Sequence, residues 1–276
     1  MMKNVILPTD FSDNAWKAMS YAAQLFHNVP CNFILLNTFS IPHSYAEVGV
    51  MPNVEPVRED SESGLQKLLV QFKELDHADN STFRTVAKFA SLVDAVSEIE
   101  DESDGDCTVV MGTKGANGLG ETFLGTMTSH ILNNVKSPVI CVPNAAELSA
   151  PKHLMLALDS EGVDKMDDIL LLVDIANQHQ AEVKVVNVPV GEEEILGEDS
   201  AEQYIVDHYL KKIPHSFHTL QGNYKEDLLT QFAERNKVDL IALIRRDKGF
   251  WKNLFHQSLT KSMTFYCDMP LLILRD

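Results

Sequence analysis

Apolar residues along this chain follow two rhythms. Short unbroken runs such as NVILP at 4–8, FILLN at 33–37, TVVM at 108–111 and VICV at 139–142 have the length and branched content of strands buried on both faces. Between them apolar residues recur every third or fourth position, as at Ala15, Met19, Ala22 and Phe26, which is the spacing of one helical face. The pattern predicts strands at Asn4–Pro8, Phe33–Asn37, Thr82–Lys88, Thr108–Met111 and Val139–Val142. Helices are expected over Ser12–Phe26, Glu59–Leu75, Leu92–Asp101 and Thr126–Asn134. Strands alternating with amphipathic helices make a parallel sheet covered on both faces.

The pattern then repeats. NVILPTDFSD near the start is answered by HLMLALDSEG from His153, each an apolar strand ending in an aspartate, Asp10 or Asp159. CNFILLNTF from Cys31 is answered by AEVKVVNVP from Ala181, and SPVICVP by MPLLILR. The fold class expected is α/β, with two tandem doubly wound, mostly parallel five-stranded sheets flanked by helices. The domains expected are residues 1–146 and 151–276, divided within PNAAELSAPKH.

Composition narrows the functions open to such a fold. The 276 residues suffice for two domains, and 45% of them are hydrophobic, enough for sizeable cores. A net charge of −17 argues against nonspecific binding to nucleic acid or to an anionic membrane, where a basic surface supplies the attraction. The N-terminal MMKNVILPTDFSD reaches an acidic residue too soon for a signal peptide, and no apolar stretch approaches the ~20 residues that span a bilayer. The four cysteines each sit in or beside an apolar run and none is at C-x-x-C spacing, so a reduced, cytoplasmic protein is expected.

The chemistry is concentrated between Cys107 and Val142. An apolar run ends at Met111; Gly112, two residues, Gly115, nine residues, Gly125 and Thr126 follow, and a helical segment begins. Glycine lets backbone N–H groups approach a bulky anion. The first turn of a helix adds unpaired N–H groups and the positive end of its dipole. One glycine alone reads as a turn residue; four defined positions after a strand and before a helix read as a phosphate site. No Gly-Lys-Ser/Thr follows, so the loop is not a Walker P-loop.

The G-x-x-G, nine-residue, G-[ST] pattern resembles the nucleotide signature of the universal stress protein family. The likeness extends over the chain as two copies, with the motif intact only in the first. It implies an adenine nucleotide alpha hydrolase-like fold and ATP as ligand, with Mg²⁺ or Mn²⁺. By the same resemblance Pro8, Thr9 and Asp10 after the first strand and Thr38 after the second would border base and ribose. Met111 and Gly112 would line the site, and Gly115, Gly125, Thr126 and the backbone N–H of Met127 would meet the phosphates. From the residues alone Asp10 also reads as part of a helix-capping turn, and Met111 as core. In the family the last strands of two copies pair across a dimer interface; Val139–Val142 and Leu271–Leu274 are the candidates for an intramolecular pseudo-dimer, with a further homodimer left open.

The second copy departs from the motif. Counting back from Pro138 and Pro270 sets Ile244 opposite Gly112, Asp247 opposite Gly115, Gln257 opposite Gly125 and Ser258 opposite Thr126. This half is therefore expected not to bind ATP in the family manner. The basic, aromatic segment Arg245–Lys252 reads as a solvated loop, and His208 and His215–His218 as exposed histidines without zinc-type partners. No general base is apparent, which favours a nucleotide-dependent regulator over an enzyme. Two alternatives stay open, a slow ATP-hydrolysing or adenylating enzyme and a protein that binds an unknown protein partner without nucleotide.

Overall fold

The computed structural model describes residues 2–40, 53–113, 126–158, 163, 169–187, 201–221, 225–245 and 269–275. The first half contains β1 (Lys3–Pro8), α1 (Asp13–Leu25), β2 (Cys31–Phe39), α2 (Glu55–Lys73), β3 (Thr82–Phe89), α3 (Leu92–Glu102), β4 (Cys107–Gly112), α4 (Thr126–Asn134) and β5 (Val139–Val142). The second contains β6 (His153–Leu158), α5 (Leu170–His179), β7 (Glu182–Asn187), α6 (Ala201–Leu210), β8 (His215–Thr219), α7 (Lys225–Arg235), β9 (Leu240–Arg245) and β10 (Leu271–Arg275).

Local chemistry explains the helix starts. Ser12 caps α1 by accepting the Ala15 N–H. Ser91 caps α3 by accepting the Asp94 N–H at 3.1 Å while its hydroxyl donates to the Asp94 carboxylate at 2.6 Å. α2 begins at Glu55 instead of the expected Glu59: Pro56 occupies its first turn, where a missing N–H is harmless, and Asn53 Oδ1 accepts the Glu55 N–H at 3.1 Å.

The ten strands form one sheet in the order β3-β2-β1-β4-β5-β10-β9-β6-β7-β8. Each half repeats the same parallel order, and β5 and β10 join them as an antiparallel pair, with Leu271 opposite Cys141, Leu272 opposite Ile140 and Ile273 opposite Val139. The pair that the family resemblance implied is thus the seam between the two halves. Alternation along each strand sends side chains to two apolar cores. One lies under α1, α2, α5 and α6 and contains Leu7, Phe33, Val110, Val142, Leu156, Val185, Ala242 and Leu274; the other, on the side of α3, α4 and α7, contains Ile6, Leu36, Met111, Cys141, Met155 and Ile241. Both cores run across the seam without interruption. Burial at the seam pushes the Cys141 thiol up to about 12, so it is an inert hydrophobe there.

The seam is also bridged outside the sheet. Gln178 Nε2 and His179 Nε2 both donate to Leu25 O at 2.8 Å, where α1 ends, and Lys3 pairs with Asp174 at 3.1 Å. His179 is 4% exposed, with the His27 ring 5.7 Å away and Lys152 Nζ bound to its own carbonyl. Burial pushes the His179 pKa down; the bond to Leu25 O opposes this, and His27 and Lys152 add to the depression. The fold therefore favours neutral His179, whereas the unfolded chain takes up a proton near pH ~6.5. Stability is full above that pH and falls as the pH drops towards the lower folded value, by at most about 1.4 kcal/mol per pH unit. Urea midpoints between pH 5 and 7.5 are expected to show this slope, and His179→Gln, a neutral donor, is expected to flatten it. An equal slope in the variant would remove His179 as its source.

Candidate functional site

The strand order places a switch point between β1 and β4: from β1 the chain winds outward to β2 and β3, then returns to β4 and β5. Open α/β sheets leave a crevice at the carboxyl ends of strands flanking such a point. The registers Pro8↔Leu36 and Ile6↔Val109 bring the ends of β1, β2 and β4 to one level. Pro8, Thr9, Asp10, Thr38, Met111 and Gly112 are therefore gathered at one edge of the sheet. Gly115 and Gly125 lie outside the described residues, as does the side chain of Thr126, whose backbone starts α4. Met127 follows in the first helical turn and is exposed.

Each gathered residue has a local role. Thr9 is buried; its N–H donates to Leu36 O at 2.9 Å and its hydroxyl accepts the Phe11 N–H at 2.9 Å. Asp10 is exposed, and its Oδ1 accepts from the Ser12 N–H at 3.1 Å and the Ser12 hydroxyl at 2.5 Å. The capping turn read from the sequence is thus present around Asp10. It requires Phe11 to take φ +63°, a left-handed conformation that costs a residue with a Cβ about 1–2 kcal/mol. The Phe11 ring lies against Gly64 of α2, where an added Cβ would come within 2.8 Å of it. Met111 is 5% exposed and its side chain belongs to the core beside α3 and α4, so it offers the crevice backbone only.

Gly112 has a packing reason of its own. A Cβ there would meet Asn14 of α1, nearest its Oδ1, 2.8 Å from its Cγ and 3.0 Å from its backbone oxygen. Asn14 is buried and donates from Nδ2 to Val142 O at 3.4 Å. The Gly112 carbonyl accepts from Thr128 Oγ1 at 3.2 Å, which ties the first turn of α4 to the end of β4. A second group sits below Asp10: Asn37 donates to Thr9 O at 2.7 Å and accepts from the Ser61 hydroxyl at 2.6 Å, linking β1, β2 and α2. The sequence reading missed Asn14, Asn37, Ser61 and Thr128. An asparagine closing an apolar run, as Asn37 does in CNFILLN, was the one visible signal.

The second half retains the frame and changes the filling. Ile244 pairs with Leu274 as Gly112 pairs with Val142, so the correspondence counted from the prolines is realised in register. Ile244 is buried, as is Val163, which the count from Asp10 and Asp159 sets opposite Asn14; both belong to the core beneath α5 and α6. An apolar pair thus replaces the glycine and amide. Asn187 corresponds to Asn37 and is 5% exposed, and neither atom of its amide has a hydrogen-bond partner among the described residues. Asp159, Asp247, Gln257 and Ser258, and all of the basic segment but Arg245, lie outside the described residues.

His208 is exposed as expected, but His215 and His218 are half-buried. His215 bonds Ile213 O at 2.8 Å and Asp207 Oδ1 at 3.0 Å; His218 bonds Ser216 Oγ at 2.9 Å and lies 4.8 Å from the Phe232 ring. Burial pushes the His218 pKa down, with Lys184 adding to the depression and Glu182 opposing it. These histidines serve packing and strand-end bonding. Among the described residues no group of three or more His, Cys, Asp or Glu is placed to hold a metal, and no helix is long and apolar enough to cross a membrane.

The whole architecture has solved counterparts. A universal stress protein from Archaeoglobus fulgidus is 15% identical with a TM-score of 0.71, over 99% of this chain and 96% of that one. A Pseudomonas aeruginosa protein provisionally described as a universal stress protein is 13% identical with a TM-score of 0.60, over 99% and 93%. The cytoplasmic domain of a prokaryotic cation chloride cotransporter is 11% identical with a TM-score of 0.60, over 100% and 96%. At these identities the likeness concerns the fold. No curated protein matches the chain. The model of the universal stress protein family matches residues 1–143, the half that carries the intact glycine motif, and with its tandem α/β units the chain belongs to that family.

Proposed function

We propose that the first half, taken as residues 1–146, binds ATP with Mg²⁺ or Mn²⁺, and that the protein is a nucleotide-dependent regulator. The observation that carries this reading is the convergence of Pro8–Asp10, Thr38 and Met111–Gly112 on the switch point of the sheet, with α4 starting beside them and anchored by Thr128. Pro8, Thr9, Asp10 and Thr38 would border base and ribose. Met111 would contribute backbone, and Gly112 the open end of β4. Gly115, Gly125, Thr126 and the Met127 N–H would receive the phosphates on backbone groups and the helix dipole. The divalent cation would offset phosphate charge that a chain of net charge −17 otherwise repels.

The second half, taken as residues 151–276, is a structural or regulatory copy in this reading. The buried Ile244 and Val163 fill the place where the first half has a glycine and an amide. Occupancy of the first half would present a different surface to a protein partner.

Calorimetry with ATP and Mg²⁺ tests the proposal on the wild type and on Gly115→Asp, which copies Asp247 into the intact motif. One site per chain is expected, with affinity reduced at least about tenfold in the variant, since a carboxylate would face phosphate. Binding at two sites would overturn the one-sided assignment. A folded wild type that binds no nucleotide would overturn the ATP reading and favour a partner-binding protein. Steady turnover would favour an enzyme.

A further inference from the structure

α4 is held at its start by its own half and at its end by both halves of the chain. At its start Thr128 bonds Gly112 O of the same half. At its end, beside the Glu100 bonds to Lys136 and Ser137 of the same half, the other half reaches in: Arg245 donates to Leu132 O through Nη1 and to Asn133 O through Nη2 at 3.3 Å, and Arg275 Nη2 donates to Leu132 O at 3.3 Å. Both guanidinium groups reach carbonyls of the last helical turn, which carry the negative end of the dipole.

The topology explains why they arrive there. Because β10 runs antiparallel to β5, the second half is inverted relative to the first, and its carboxyl strand ends lie level with the start of β5. Ile273 stands opposite Val139, so Arg275 extends beyond β5 to where α4 ends; Arg245 is its neighbour in register on β9. The same rung in the first half, one residue beyond Gly112 and Val142, carries Thr113 and Pro143. Neither is a cation.

We infer that Arg245 and Arg275 are positioning residues for the ligand site of the first half. By fixing the last turn of α4 they set the axis of a nine-residue helix, about 13 Å long, whose first turn would present N–H groups to phosphate. The second half thereby contributes to binding without a motif of its own. The inference rests on the nucleotide reading given above.

The test uses the full chain as wild type, as the pair Arg245→Met with Arg275→Met, and as the pair Arg245→Lys with Arg275→Lys. Calorimetry reads ATP–Mg²⁺ affinity, and amide hydrogen exchange of the ligand-free proteins reads α4. The methionine pair is expected to bind ATP about tenfold more weakly, near the upper range of what cations at a helix end contribute. Its α4 amides are expected to exchange about tenfold faster while those of β1 and β4 are unchanged. The lysine pair is expected to recover most of both effects, since the charge remains. Wild-type affinity in the methionine pair, or weaker binding with unaltered α4 exchange, overturns the inference. If the wild type binds no ATP, the nucleotide reading fails and α4 exchange alone decides: unchanged rates overturn the arginines' role, faster rates support it. Should the methionine pair not fold, Arg275→Met alone is read by the same criteria.

Discussion

Gly112→Ile is expected to destabilise the protein by about 3 kcal/mol, and adding Asn14→Val is expected to recover part of that loss. A Cβ at Gly112 would lie 2.8 Å from Asn14 Cγ and 3.0 Å from its backbone oxygen, and isoleucine carries three further carbons into the same space. Asn14 is buried between α1, β4 and β5, so its side chain has little room to yield. Replacing it with valine removes the Oδ1 contact, the nearest one, at a cost that includes the 3.4 Å bond to Val142 O, and leaves a γ-carbon and the backbone oxygen in place. The resulting pair is the one the second half carries, Ile244 with Val163, both buried in a continuous core. Urea unfolding of the four members of the double-mutant cycle would measure the coupling, expected at about 1 kcal/mol in the direction of rescue. Additive losses would mean that Asn14 is not what excludes a side chain at Gly112.

Glu100→Ala is expected to cost about 3 kcal/mol, with Glu100→Gln losing less than half as much. Glu100 lies on α3 and is 2% exposed. Its Oε1 accepts the Ser137 N–H at 2.7 Å and the Lys136 N–H at 3.0 Å, and Oε2 is 3.3 Å from the latter. The carboxylate thus holds the link between α4 and β5, just before the strand that forms the seam. Alanine leaves a buried N–H at Ser137 with no acceptor, while glutamine keeps one carbonyl oxygen in place without the charge. At about 2–4 °C per kcal/mol for a chain of this size, the alanine variant should melt roughly 6–12 °C below wild type. Equal melting of the two variants would show that the acceptor is not what Glu100 supplies.

The strands were legible because they rest on neighbours in sequence, and the helix caps at Ser12 and Ser91, which the sequence reading did not name, are equally local. Buried strands are runs of Val, Ile and Leu, and Ser12 and Ser91 cap helices through groups three residues away. The start of α2 was placed four residues late for the same reason: Glu55–Asp60 are exposed and carry no apolar period, so only Pro56 and Asn53 mark its first turn. At the site, the glycine spacing was visible, but the meaning of individual positions was not. Gly112 read as an opening towards an anion, and the structure gives it a second necessity, the approach of Asn14. Met111 sits in the same motif, yet strand alternation turns its side chain into the core. Thr9, Asn37 and Ser61 form one hydrogen-bonded group from three elements, and nothing local in sequence brings them together.

By itself the sequence determined the alternating strands and helices, their duplication and the intactness of one glycine motif of two. Those properties follow from periodicity, repetition and the absence of a side chain, all readable one residue at a time. Only the tertiary structure decided what the second half does at the seam. Antiparallel pairing of β5 with β10 makes ten strands one sheet, joins the cores on both faces and brings Arg245 and Arg275 to the end of α4, residues 113 and 143 positions away from Leu132. A guanidinium finds its carbonyl through the direction of two strands and the inversion of a whole half, and that geometry has no local trace along the chain.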